Sequence, residues 1–279
     1  MKIYFRILSL IAILISASCA SQNYAKQQKV NLILISGSHL DETSWGEMIK
    51  NLDQAHFAVL AHPRLGRDAN QPLHLKQIAE MACQKLGVPT VVVAHSFGGS
   101  TANEMTGVCP EKISKIIYIA ALVPLNGEHP TDQLKGADQK LYMSIVEVGK
   151  DRVSPKLKVK FLNGMDPEVS KNEASLPAVF PESMLNLGDV IEFKNETFNA
   201  IPKYYVFTSR DQVITPEYQK KLSGRLTLAG SETIQSGHLP MLSKPKEVAD
   251  IIMGFAHYNI CEGTSAIQIP FHSSKSVLS

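Results

Sequence analysis

"VVVAHSFGGS", residues 91–100, places three valines and an alanine directly before a histidine, a serine, a phenylalanine and two glycines. An uninterrupted apolar run of this length reads as a strand buried on both faces, the pattern of a parallel sheet covered by helices. The run ends on Ser96, with small residues two places to either side, Ala94 and Gly98. A serine oxygen that is to attack a carbonyl must stand clear of the sheet, and a sharp strand-to-helix turn between small residues achieves this. The usual form of that turn is G-x-S-x-G. Ala94 departs from it but is still small, and Gly99 further eases the approach of strand and helix. The Phe97 amide then falls at a helix start, where backbone N–H groups point outward and can receive a developing oxyanion.

Serine is a weak nucleophile until a base takes its proton, so this reading requires a histidine oriented by a carboxylate, in the chain order serine, acid, histidine. In "YYVFTSRDQVITPEY", Asp211 follows an apolar strand pattern, and in "IQSGHLPMLSKP", His238 lies in a glycine-preceded loop before the last helix. Taken singly, Asp211 suits a turn or a helix cap, and His238 an ordinary loop. Together with Ser96 they supply the required chemistry in the required order.

Outward from this stretch, apolar runs at 30–36, 56–62, 89–95, 114–123 and 202–208 read as strands, with a further one within 226–235. Leu75, Ile78, Ala79, Ala82 and Leu86 recur at helical spacing, as do Val248, Ile251, Ile252 and Phe255. Thr215, Pro216 and Glu217 form a helix-start signal. Strands alternate with helices, as in an α/β fold. From Pro124 to about residue 200 the alternation breaks, and this segment is expected to be an inserted helical lid. Its Phe161, Leu162, Met165, Leu176, Val179 and Phe180 can face either substrate or core.

Four segments carry a family resemblance: "LISGSHLDETSW", "VVVAHSFGG", "YYVFTSRDQVITPEYQ" and "SGHLPMLSKP". Over most of residues 30 to 258 the chain resembles the α/β-hydrolase superfamily, in the branch of plant methylesterases, hydroxynitrile lyases and small bacterial esterases. The resemblance implies a mostly parallel sheet of about eight strands and a Ser96, Asp211 and His238 triad. It also implies that the Ser38 backbone N–H joins that of Phe97 in holding an oxyanion. Family members begin the first segment with His-Gly. Here it is Ser36-Gly37, so the histidine that usually braces the loop is missing. Hydroxynitrile lyases of this branch carry threonine at the position of Gly37 and lysine directly after the catalytic histidine, where this chain has Leu239. Hydrolysis of a small apolar carboxylic ester through an acyl-enzyme is therefore expected, with carbon–carbon lyase activity, or non-catalytic small-ligand binding on the same fold, as the alternatives. No metal or organic cofactor is implied.

Several other residues take plainer readings. His95, next to Ser96 on a strand, points to the opposite face and packs. His39 is a weaker candidate for the pocket wall, Trp45 is a packing anchor for the next helix, and Arg64, Arg67 and Asp68 form a solvated loop.

The chain has 279 residues, 19% of them charged, with a net charge of +2 and both signs interspersed. No basic stripe proposes a nucleic-acid partner, and one large domain, about 28–258, is the simplest organisation. At the N-terminus, Lys2 and Arg6 precede an apolar stretch from Ile7 to Ala17 and the small residues "SASCAS", an export signal over residues 1–20 too short to persist as a spanning helix. Two processing routes fit, cleavage after Ala20 or lipidation of Cys19 as in bacterial lipoproteins. The first gives a periplasmic or secreted protein and the second a lipid-anchored one, which is the only membrane association expected. Cys83, Cys109 and Cys261 are too widely spaced for a compact zinc motif. Cys83 and Cys109 fall on predicted helices and read as buried, unpaired thiols; an exported protein can also join them, which the spacing does not decide. Residues 259–279 read as a tail without period.

Overall fold

In parallel sheets covered on both faces, strands carry continuous apolar runs, and the runs identified above pair in that way. The computed structural model describes residues 29–64, 70–134, 139–170 and 173–257. The export signal with Cys19, the tail with Cys261, and Arg67 and Asp68 lie outside the described residues. In chain order the elements are β1 (Val30–Ile35), α1 (Gly46–Lys50), β2 (Phe57–Ala61), α2 (Leu75–Gln84), β3 (Thr90–His95), α3 (Gly98–Val108) and β4 (Ile113–Ile119). There follow α4 (Pro130–Leu134), α5 (Gln139–Ile145), β5 (Val146–Val148), β6 (Arg152–Pro155), α6 (Lys158–Met165), β7 (Glu182–Ser183) and α7 (Asn195–Ala200). The chain closes with β8 (Lys203–Thr208), α8 (Pro216–Ser223), β9 (Gly230–Ile234), α9 (Pro240–Ser243) and α10 (Pro245–His257).

The main sheet runs β2-β1-β3-β4-β8-β9, and every pairing is parallel. Among the described residues it has six strands, against about eight expected. β3 is buried along its whole length and sits near the centre, with Val93 beside Ile117 and Ala94 beside Tyr118. From β1 the chain moves outward to β2, then returns to the other side of β1 for β3. That reversal opens a crevice beyond the carboxyl ends of β1 and β3, the place where open α/β sheets bind ligands. Ser36 and Ser96 are the residues that follow those two ends.

Three further expectations need correction. The apolar run 114–123 is not all strand: β4 stops at Ile119 because Ala120 turns the chain with φ 43°, and Leu122 then donates its N–H to the Ser96 carbonyl at 3.0 Å. The insert between β4 and β8 is not purely helical, since β5, β6 and β7 form a three-stranded antiparallel sheet within it. These strands have two to four residues, too few for an alternating pattern to register. Finally, the thiols of Cys83 and Cys109 are not unpaired. They form a disulfide, with Cα atoms 6.1 Å apart, that joins the end of α2 to the end of α3.

Helix α3 is buried over Gly98–Thr106 despite its polar composition. Its larger polar groups are matched: Asn103 accepts the Tyr118 hydroxyl and donates to the Pro124 carbonyl at 2.8 Å, and the Glu104 carboxylate accepts the Glu192 N–H at 2.9 Å, whereas the buried Ser100 and Thr101 hydroxyls find no acceptor or donor among the described residues. Burial nevertheless pushes the Glu104 carboxyl above its ordinary range. At the start of β8, Lys203 is 2% exposed, donates to the Phe198 and Ile201 carbonyls, and lies over the Phe198 ring. Desolvation lowers its pKa from 10.5 to about 8.

Two outcomes follow from these contacts. The disulfide closes a loop across a separation of 26 residues, so the Cys83→Ala, Cys109→Ala double variant is expected to lose about 3 kcal/mol in denaturant titration; an unchanged midpoint would contradict this. Lys203 holds its proton more weakly folded than unfolded, so its penalty is complete below about pH 8 and is relieved as pH rises toward 10.5. Relative to Lys203→Met, the native chain should therefore gain on the order of 2 kcal/mol between about pH 7 and pH 10. A pH-independent difference would refute that assignment.

Candidate active site

Ser96 has a left-handed backbone, φ 51°, which costs an ordinary L-residue about 1 kcal/mol or more. Three backbone hydrogen bonds hold it there: Ser96 N–H to the Ile119 carbonyl at 3.1 Å, and the Gly99 and Leu122 N–H groups to the Ser96 carbonyl at 3.1 and 3.0 Å. The turn also needs the small residues around it. A Cβ on Gly98 would lie 2.6 Å from the Ile35 carbonyl oxygen, and one on Gly37 would lie 2.7 Å from the Ser96 Cβ. Both distances are shorter than side chains tolerate.

The three residues expected to meet do so. Asp211 lies just past β8 and His238 just past β9, and their side chains are wholly buried. His238 Nδ1 is 2.6 Å from Asp211 Oδ2, and Nε2 is 2.9 Å from Ser96 Oγ. A carboxylate only accepts, so Nδ1 carries the proton; in the neutral ring Nε2 is then free to accept from the Ser96 hydroxyl. The other Asp211 oxygen accepts the Val213 and Ile214 N–H groups at 2.8 and 2.9 Å, while Thr208 Oγ1 and Gln219 Nε2 donate to Oδ2 at 3.0 and 3.1 Å. A buried carboxylate is tolerable only when its lone pairs are matched in this way.

His95 packs as expected, fully buried, but it also does something the sequence did not indicate. Its Nε2–H donates to the His238 carbonyl at 2.7 Å, and its ring centroid lies 4.9 Å from that of His238. The His238 N–H in turn reaches the Met165 carbonyl at 3.0 Å. The base is thus held at its backbone from two sides. Thr208 and Gln219 carry no signal of their own in the sequence, because a threonine or glutamine near a turn gains a role only from the acid's position in space.

Ser38 and Phe97 both line the cavity that opens over Ser96. Neither backbone N–H has an acceptor among the described residues. The loop that carries Ser38 lacks the family's bracing histidine and is braced differently: Trp45 Nε1–H donates to Ser36 Oγ at 2.9 Å, and Ser36 donates to the Asp41 carbonyl at 2.7 Å. Trp45 is fully buried, the anchor expected. The cavity has a volume of about 310 Å³, with Leu122, Met165, Leu187, Val213 and Ile214 among its apolar walls. Of the insert residues proposed from sequence, Met165 faces it, whereas Phe161 and Leu162 are buried in the core. His39 is not among the lining residues but is bonded to one of them, Tyr142. Arg64 is not solvated, its side chain being 9% exposed and 3.5 Å from the Glu182 carboxylate.

Residues 32–251 match the alpha/beta hydrolase family. The chain belongs to that family. Among curated relatives it is similar to methylesterase 7 of Arabidopsis thaliana, 25% identical over 60% of this chain and 68% of that protein. It is also similar to polyneuridine aldehyde esterase of Rauvolfia serpentina, 23% identical over 82% of this chain and 96% of that one. In architecture it resembles a pyrethroid hydrolase from Sphingobium faniae JZ-2, with a TM-score of 0.74 at 15% identity, covering 83% of this chain and 99% of that one. As in other alpha/beta hydrolases, the strand-to-helix turn depends on close backbone approach. Gly98→Ala should accordingly destabilise the fold by about 1–3 kcal/mol, measured by urea titration; wild-type stability would mean that β1 yields easily to the added methyl group.

Proposed function

We propose that the protein is a serine hydrolase of small apolar carboxylic esters. One observation carries this reading: an unbroken line of hydrogen bonds from Asp211 through His238 to Ser96 ends in an apolar cavity lined by two residues whose N–H groups have no acceptor among the described residues. Ser96 attacks the ester carbonyl as His238 takes its proton, and Asp211 holds the ring in the required tautomer and stabilises the imidazolium. The Ser38 and Phe97 N–H groups receive the tetrahedral oxyanion. His238 then protonates the departing alcohol and activates a water that releases the acid from Ser96. The cavity's size and walls favour small apolar groups, and the esterase names of the relatives make methyl esters the first substrates to try.

Gly37 offers no side chain and Leu239 is a buried apolar residue, so nothing at those positions supports departing cyanide. This favours hydrolysis over cyanohydrin cleavage. Ser96→Ala is expected to lower p-nitrophenyl acetate turnover by roughly 10³-fold or more while the protein stays folded, and a fluorophosphonate probe should label the native chain at Ser96. Near-native turnover in the variant would end the proposal. Failure of the probe to label Ser96 would favour a binding protein on this fold.

Export through the N-terminal signal is part of the same reading, and the Cys83–Cys109 disulfide supports an oxidising compartment. Mass spectrometry of the protein purified from its native host should find a chain beginning at Cys19 with added lipid or at Ser21. An intact Met1 would count against export.

A further inference from the structure

His39 follows Ser38 in the loop after β1 and has no part in the chemistry described so far. It is fully buried with φ 66°, a conformation that a side chain of this size keeps only when its surroundings fix it. Residues of the insert supply the fixing contacts. The His39 N–H donates to Glu182 Oε2 at 3.0 Å, and the His39 carbonyl accepts the Phe180 N–H at 3.0 Å. Ring Nδ1 is 2.8 Å from the Phe180 carbonyl oxygen, which only accepts, so Nδ1 bears the proton. Nε2 then accepts the Tyr142 hydroxyl at 2.5 Å. That phenol keeps its proton, because burial and the Glu182 charge push its pKa well up. Glu182 is itself held by Arg64, whose guanidinium stacks over Phe180 at 5.2 Å and donates to the Pro181 carbonyl.

On the other side of Ser38, Gly37 is wedged against Ser96 and His95. The short segment 37–39 is thus pinned at one end to the serine turn and at the other to the insert, and between the pins lies Ser38, a cavity-lining residue whose N–H has no acceptor among the described residues. We propose that His39 is a positioning residue: clamped by Glu182 and Tyr142, it fixes the aim of the Ser38 N–H at the oxyanion, so that the insert completes the oxyanion hole as well as walling the cavity. The clamp rests on the acyl-transfer reading above. It differs from a purely structural bond in one measurable respect. The oxyanion exists only near the transition state, so a misdirected N–H should weaken binding of the tetrahedral species far more than binding of substrate or product.

The test uses the variants Glu182→Ala, Glu182→Gln and Tyr142→Phe. The readouts are kcat and KM for p-nitrophenyl acetate, affinity for an alkylboronic acid that forms a tetrahedral anion on Ser96, and affinity for acetate as product. Loss of a whole oxyanion donor costs about 10²–10³-fold in kcat; for Glu182→Ala we expect a loss of about 10- to 100-fold, with KM within about threefold. Boronate affinity should fall by a similar factor while acetate affinity holds. Glu182→Gln, whose amide oxygen still accepts the His39 N–H, should recover to within about threefold of wild type, and Tyr142→Phe should lose about three- to tenfold with the same split. Native kcat in Glu182→Ala, equal losses of boronate and acetate affinity, or a Glu182→Gln variant as impaired as Glu182→Ala would overturn the clamp. If Glu182→Ala does not fold, the split in Tyr142→Phe decides alone. Activity that persists in Ser96→Ala refutes the acyl-transfer reading itself, whereas uniform losses in the clamp variants with Ser96-dependent activity refute only the clamp.

Discussion

The left-handed turn at Ser96 is the constraint on which the rest of the site depends. A serine at φ 51° is less stable than one in extended backbone, and it stays there because the Ser96 backbone is bonded to Ile119 and Leu122 on the neighbouring segment. Those bonds require the chain after β4 to turn at Ala120 and run beneath the serine. They also require the first turn of α3 to press against β1, which the added-methyl distance at Gly98 shows to be already at contact. Strain at one residue is thus balanced by packing drawn from β1, β3 and β4, the strands on either side of the sheet's reversal point. The same geometry brings the hydroxyl to the strand ends and leaves the Phe97 N–H without an acceptor among the described residues.

Charge is handled by a similar division of labour. Asp211 is 3% exposed, and a bare carboxylate at that depth would be prohibitively costly. Two backbone N–H groups occupy one oxygen; a hydroxyl, an amide and an imidazole converge on the other. Gln219 also accepts the Thr208 N–H at 3.0 Å and donates to Thr208 Oγ1 at 2.8 Å and to the Ile214 carbonyl, so the acid's own supports are mutually bonded. Such a network fixes orientation more than it adds stability. Its consequence is that the histidine meets a carboxylate already pointed at it, and the nitrogen facing Ser96 is left to accept.

Much of this was legible in the chain because the decisive signals are local. Continuous apolar runs marked β1, β3 and β8, spacing marked α2 and α10, and the Thr215-Pro216 start of α8 appears as written, with Thr215 Oγ1 accepting the Tyr218 N–H. The order of Ser96, Asp211 and His238 then implied a meeting point that their positions past β3, β8 and β9 produce. What could not be read depends on contacts between distant segments. The pairing of Cys83 with Cys109 needs α2 and α3 to lie side by side. The burial of Arg64 needs Glu182, and the bond from His95 to the His238 carbonyl crosses 143 residues. Nor could the strands of the insert be read, since elements this short are formed by their partners rather than by their own sequence.

The insert ties these observations together. Residues 180–182 run as a backbone strip across the loop at His39, and Glu182 belongs at once to the small sheet, through pairing with Val153, and to the clamp on the His39 N–H. Val153 lines the cavity from the same small sheet. A change in the wall of the cavity is therefore not independent of the loop that carries Ser38: both are anchored to β7, one through a strand pairing and the other through a buried carboxylate. In an enzyme whose insert were free to open, such bonds would break with each opening, and a carboxylate with a side chain 1% exposed would have to be exchanged with water each time. The cavity nevertheless reaches the surface along the insert, because the exposed apolar residues Met143, Val148 and Met184 belong to its wall as well.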